Sequence, residues 1–242
     1  MTQIKTPQSG KTAIAVTLID HMGNDLSVVN AARVSFGKSS SMDEDNMGVW
    51  HLKQGDTKLI KYLAKHNHIS PFGHCFVSFH IKAPIFVARQ LVKHKFLRWN
   101  EISRRYVDDE PEFYVPDVWR GKSADKKQGS SSEVIDIIDY DGTNGKNGFS
   151  DPYSTLTEIA LETYQDLLEK GVAPEQARMV LPQSSITEWY WSGSTDAFAS
   201  MCRLRCASDT QYESRIVADQ ISDVMRDLFP VSWDALLKAG EE

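Results

Sequence analysis

The chain has 242 residues, 41% hydrophobic and 10% aromatic, with 27 Lys and Arg against 33 Asp and Glu for a formal net charge of −6. That is enough apolar material for one substantial core, read as a single domain over 1–242, and the acidic balance excludes bulk nucleic-acid binding. Cys75, Cys202 and Cys206 fit no zinc spacing and leave one unpaired in any disulfide scheme; with no signal-like amino-terminal stretch and no membrane-length apolar run, the expected setting is cytoplasmic, or host cytosol for a viral protein.

The first ten residues are polar. Thr12 to Ile19 alternates and predicts a strand, after which Met22 to Asp25 turns the chain into a helix from about Leu26 to Val34. Residues 37–48 read as a polar loop. Asp56 stands where a helix cap is needed, with Leu59, Ile60 and Leu63 as the buried stripe and an end near Asn67. His66, His68, His74 and His80 raise a metal reading, but no carboxylate or cysteine pattern accompanies them, and the expectation is no metal. Phe72 to Ile81 alternates like a strand, with Cys75, Val77, Phe79 and Ile81 on one face and His74 and His80 on the other.

The stretch with the most hydrogen-bonding side chains follows, PIFVARQLVKHKFLRWNEISRRY at 84–106. Pro84 suits a first helical position, and Ile85, Ala88, Leu91 and Val92 recur at the spacing of a core-facing stripe. The same spacing sets Phe86, Gln90, Lys93 and His94 on the neighbouring face, so an amide, an ammonium and an imidazole can meet one ligand. Trp99 to Tyr106 reads as a turn into irregular or extended chain, and an arginine-rich loop after a helix end suits phosphate. Alternating charge also describes a solvated helix face. Glu101 among the cations, with Asn100, Ser103 and Gln90 as directional groups, favours a binding site.

Residues 120–150 are rich in Gly, Ser, Asp and Lys around one apolar island, VIDII, and read as a loop insertion with room for a short strand. Asp151 and Pro152 mark a helix start, and the stripe Leu156, Ile159, Ala160, Thr163, Leu167 runs to a stop at Gly171. A second short helix, PEQARMVLP, sets Arg178 among apolar neighbours, where it has either a buried anionic partner or a path to solvent. Residues 186–192 suit a strand or core edge. Ser194 or Thr195 can cap a helix with Ala197, Phe198, Met201, Leu204 and Ala207 apolar and with Arg203 and Arg205 on it. Two packing helices close the chain, around 211–228 and 232–239, with Ile216, Ile221, Val224, Met225 and Leu228 as their stripe.

His94, Lys95, seven residues and then Ser103 resemble the signature of the flavin-dependent thymidylate synthases, the ThyX family, whose core is Arg-His-Arg, seven residues, Ser. Further blocks resemble family segments in the same order: MGNDLSVVNAARVSF (22–36), KHNHISPFGH (65–74), HIKAPIFVARQ (80–90), NEISRRY (100–106), EFYVP (112–116), QARMVLP (176–182) and RLRCASDTQYE (203–213). The resemblance covers most of the chain apart from 120–150. Lys93 and Lys95 stand where the family usually has Arg, which keeps the charge and loses the planar donor fork.

The resemblance implies an α+β fold, helices packed on antiparallel sheet, assembled as a homotetramer with sites shared between subunits. It implies reductive methylation of dUMP to dTMP, in dTTP biosynthesis, with methylenetetrahydrofolate as carbon donor and FAD reduced by NADPH as hydride carrier. Arg205 is then the catalytic residue against uracil, with Gln90, Lys93, Glu101, Ser103, Arg104, Arg105 and Arg178 also at dUMP. Ser70, Lys93, His94, Lys95, Glu101, Ser194 and Ser200 belong to FAD by the same resemblance, with Ser35 near the cofactor and His68 on the folate side. Neutral uracil is a poor nucleophile at C5, and no cysteine here has the family context to activate it by adding to C6, so activation falls to electrostatics. The rivals are a nucleotide or nucleic-acid binding protein using the basic segment 93–106 without catalysis, and a metal hydrolase built on the histidines.

Overall fold

The computed structural model describes residues 14–107, 109–124, 129–135 and 152–239. In chain order it holds β1 (Ala15–Met22), α1 (Asp25–Arg33), β2 (Asp43–Glu44), β3 (Trp50–His51), α2 (Gln54–Lys65), β4 (Phe76–Pro84), α3 (Ile85–Leu91) and β5 (Leu97–Glu101). Then come β6 (Trp119–Lys122), β7 (Ser130–Ile135), α4 (Pro152–Glu169), α5 (Pro174–Ala177), β8 (Ile186–Ser194), α6 (Thr195–Arg205), α7 (Tyr212–Leu228) and α8 (Pro230–Lys238). The fold is α+β, its main sheet antiparallel and ordered β1-β4-β8-β5. Among the described residues no helix is long and apolar enough to cross a membrane.

Alternation builds the sheet. Val77, Phe79 and Ile81 of β4 are buried, and Phe79 and Ile81 lie in register with buried Trp191 and Trp189 of β8, so the centre of this face is apolar. On it, Phe198 of α6 sets its ring edge-on to Phe79 and to Trp191, centroids 5.2 and 5.6 Å apart. Trp99 of β5 stacks on Trp189 at 4.5 Å. The other face is wet, with His80 3.0 Å from Glu188 beside exposed Tyr190. β5 can approach β8 because residue 193 is glycine: a Cβ there would lie 2.3 Å from Leu97 Cδ2 and 3.1 Å from Phe96 O.

Local expectations shift where tertiary partners decide. β1 runs on to Met22 because β4 pairs with it as far as Phe76, while Thr12 and Ala13 lie outside the described residues. The loop at 37–48 contains β2, which pairs with β3. Asp56 does not cap α2, which starts after Lys53; it is buried in the first turn, where Oδ1 accepts from Arg33 Nη2 at 2.5 Å and Oδ2 accepts from Ser40 Oγ. Ser70–His74 is a 3-10 turn, so His74 sits on that turn and not beside His80. Pro84 caps α3 from outside; Val87, Ala88 and Leu91 are its buried residues, and Val92 is exposed because the helix has ended.

The stripe expected on α4 holds in part: Ala160 is buried, with Thr157 and Tyr164, whereas Leu156 and Ile159 are 56% and 55% exposed. On α6 Leu204 is exposed, and Ala207 lies past the helix end. In the expected insertion β6 and β7 pair as a hairpin; most of VIDII, and Asp151, fall outside the described residues.

Candidate active site

Two clefts flank α3. The first, about 710 Å³, is walled by Arg89, Gln90 and Lys93 from α3 and its end, Arg205 from the end of α6, Gln211 to Glu213 at the start of α7, and Arg120, Gly129 and Ser130 from the β6–β7 hairpin. The second, about 370 Å³, takes Arg89 and Val92 from the other side of α3 with Glu101, Ile102, Arg104, Arg178 and Thr187. Arg89 faces both.

The chain arrives at this geometry through α3. Its first amides are satisfied by the segment before β8, Ile85 N–H donating to Ser185 O at 2.9 Å and Phe86 N–H to Gln183 O at 3.2 Å. Past Leu91 the chain turns, and Phe96 takes φ 64°, a left-handed conformation costly for a bulky side chain, to swing into β5. His94 sits in this turn. Arg205 Nε–H donates to its Nε2 at 3.0 Å. Burial first, and then the charge of Arg205, lowers the imidazole to a pKa of about 4, so at neutral pH His94 is uncharged with its proton on Nδ1. Burial also lowers Arg205.

The rest of the first cleft is tied together. Arg120 pairs with the buried Glu213, lies 4.4 Å over the Tyr212 ring and donates from Nε to Ser130 Oγ at 2.9 Å. Gln211 donates to Glu213 Oε2 at 3.5 Å and accepts from Gln90 Nε2 at 3.5 Å. Gln90 Oε1 is buried with no partner, an acceptor left for a ligand donor.

In the second cleft Glu101 accepts from Thr187 Oγ1 at 2.8 Å and Trp99 Nε1 at 3.1 Å. Arg104 donates to Asp109 O at 2.7 Å, and Ser103 Oγ accepts from Arg105 Nε at 3.1 Å. Among the described residues Arg178 meets no buried anion; it donates to Glu175 O at 3.3 Å and opens to solvent.

The remaining expected residues lie elsewhere. Ser70 and His68 are exposed, His68 6.1 Å from the Tyr62 ring; Ser35 is exposed after α1, and Lys95 on the turn after α3. Ser194 precedes α6, whose Thr195 N–H donates to Cys75 O beside the 3-10 turn, and Ser200 is exposed midway along it. α6 has 11 residues and so spans roughly 15 Å, which separates Ser194 and Ser70 from Arg205. Among the described residues no group of His, Cys, Asp and Glu is arranged to hold a metal. Sequence reasoning missed Arg120, Gln211, Tyr212 and Glu213. QYE at 211–213 was within reach as part of a family block; Arg120, at the edge of the insertion, had no signal.

A family model described as thymidylate synthase complementing protein matches residues 17–231. A flavin-dependent thymidylate synthase of Thermosipho africanus is 38% identical over 221 residues, 91% of this chain and 90% of that protein. The chain belongs to the flavin-dependent thymidylate synthases. Members from Kosmotoga olearia and Thermus thermophilus are 39% and 37% identical over 222 and 223 residues, covering 92% and 91% of this chain and 89% and 74% of theirs. Among solved structures, the UMP/dUMP methylase PolB from Streptomyces cacaoi, bound with 5-Br dUMP, matches with a TM-score of 0.74 at 33% identity, over 93% of this chain and 95% of that one. The segment that resembles the signature thus starts on the turn between α3 and β5, where His94 meets Arg205, and runs through β5 to Ser103 beyond it.

Proposed function

We propose that this chain methylates dUMP at C5 to give dTMP, with methylenetetrahydrofolate as carbon donor and FAD, reduced by NADPH, as hydride carrier. The balance is dUMP, methylenetetrahydrofolate, NADPH and a proton to dTMP, tetrahydrofolate and NADP⁺. Family membership supports the reaction. One observation carries it to particular atoms: Arg205, held by a neutral imidazole, faces a cleft with Lys93 and the orphaned acceptor of Gln90.

That donor set fits the ligands. A nucleotide brings phosphate for the cations and an imide edge, whose N–H suits Gln90 Oε1 and whose oxygens suit Arg205. Negative charge drawn onto the imide raises the electron density at C5, and a fixed guanidinium stabilises that charge with no proton transfer. FAD, when bound, supplies the two-electron redox chemistry. Lys93, His94 and Lys95 hold it in this reading, with Ser70, Glu101, Ser194 and Ser200; Gln90, Glu101, Ser103, Arg104, Arg105 and Arg178 seat dUMP, and His68 faces the folate. No thiol is required: burial pushes Cys75 up to about 11 and raises Cys202. The distance from Ser194 and Ser70 to Arg205 supports a homotetramer in which another copy completes the site, and exposed Leu156 and Ile159 offer apolar surface for it.

The test is an absorption spectrum of the protein reconstituted with FAD, followed by dTMP formation from dUMP, NADPH and methylenetetrahydrofolate. Flavin bands with dUMP-dependent dTMP are expected. An inert, colourless preparation after reconstitution, or a nucleotide adduct on Cys75, Cys202 or Cys206, overturns the reading.

A further inference from the structure

Two arginines of the first cleft are held in opposite ways. Arg120 is paired with a carboxylate, Glu213, and covered by Tyr212, so its charge is cancelled where it stands. Arg205 meets no carboxylate among the described residues; its Nε–H donates to the ring nitrogen of His94 at 3.0 Å. One acceptor at Nε fixes the plane of a guanidinium and leaves both terminal amino groups free. The acceptor matters as much as the bond. A carboxylate there would orient Arg205 and neutralise it, whereas an uncharged imidazole orients it and leaves the cation whole.

We infer that His94 is the positioning residue of Arg205: a neutral acceptor that aims the guanidinium into the cleft while preserving its positive charge for the developing imide anion. The inference rests on the dUMP reading above and gives His94 a task separate from contact with flavin. Burial first, and then the charge of Arg205, hold the imidazole neutral. Arg89, Lys93 and Arg120 line the same cleft as Arg205, and Glu213 is engaged by Arg120. With a pKa of about 4, His94 keeps its acceptor lone pair throughout the neutral range.

Two near-isosteric variants separate the possibilities. His94→Gln keeps a neutral oxygen near the reach of Nε2, and His94→Glu offers the same reach with a full negative charge. Flavin content is read from absorbance, dUMP affinity by calorimetry, and kcat separately from KM in dTMP formation. His94 also meets the flavin in the reading above, so the two variants are compared with each other: at matched flavin content the kcat of the Gln variant should exceed that of the Glu variant about thirtyfold. Calorimetry needs no turnover and should show dUMP held about tenfold more weakly by the Glu variant than by the Gln variant. A folding defect common to both cannot mimic that split. Equal kcat and equal dUMP affinity in the two variants overturn the positioning role, and so does a loss of flavin that alone accounts for both defects. The calorimetric split between the two variants, together with a parent that makes no dTMP, overturns the reaction and leaves the positioning role standing.

Discussion

Among the described residues no carboxylate offsets the positive charge of Arg205, so its loss should strike the chemical step more than the folding of the chain. Arg205→Ala is expected to cut dTMP formation at least about a hundredfold while NADPH oxidation stays measurable. Formation near the parental rate would falsify its catalytic assignment. Cys206 follows Arg205 at the end of α6 and is half-buried, which makes it the cysteine nearest a covalent role. Cys206→Ser is expected to keep dTMP formation within about twofold, since no thiol adds to the pyrimidine in this reading. Asp56 shows the same electrostatics used for stability. Burial raises its carboxyl, but hydrogen bonds from Ser40 and Arg33 outweigh that and hold it below the ordinary 3.8. A depressed carboxylate stabilises the fold above its unfolded pKa and loses that contribution as pH falls through its lower folded value. Asp56→Asn should therefore cost about 2 kcal/mol near neutral pH, with the deficit shrinking below about pH 4, as thermal melts across that range would show.

The β6–β7 hairpin acts on the site as an element. Gly129, at φ 86°, lets it lie against the α6–α7 connection, where a Cβ would sit 2.7 Å from Asp209 O, and Arg120 then reaches Glu213. Removing Arg120 leaves Glu213 buried without its cation and loosens Gln211, on which the Gln90 amide leans. Arg120→Ala is expected to lower Tm and to raise KM for dUMP about tenfold, with partial recovery in Arg120→Lys, read by calorimetry and steady-state kinetics. Nothing in the sequence announced this wall. Its residues come from a stretch dominated by Gly, Ser, Asp and Lys, where alternation is drowned by turn formers. β4 was legible because Val77, Phe79 and Ile81 alternate against a buried face, whereas the helical face expected to carry Phe86, Gln90, Lys93 and His94 ends at Leu91, and Lys93 and His94 sit on the turn beyond it. On α4 the same reasoning held only in part. Its most apolar positions, Leu156 and Ile159, face outward, and smaller Thr157 and Ala160 make the intrachain contact with Tyr164, because periodicity reports that a face is apolar without saying which molecule covers it.

At the scale of the whole molecule, the residues that the signature implies divide into three groups. Gln90, Lys93 and Arg205 line one cleft, with His94 bonded to Arg205; Glu101, Arg104 and Arg178 line the next; Ser194 stands at the far end of α6 from Arg205, beside the 3-10 turn that carries Ser70. Spacing along a chain cannot reveal such a division, since it carries no information about a second copy. If the site joins Arg205 of one subunit to His68 of another, two individually inactive variants should repair each other. Arg205→Ala and His68→Ala subunits, unfolded together at equal amounts and reassembled, place an intact Arg205 opposite an intact His68 in about one quarter of the sites of a randomly mixed symmetric oligomer. Activity should then rise from near zero to about a quarter of the parental value, and the same variants reassembled separately should stay inactive. A mixture as dead as its components would mean that both residues serve the same site from one chain.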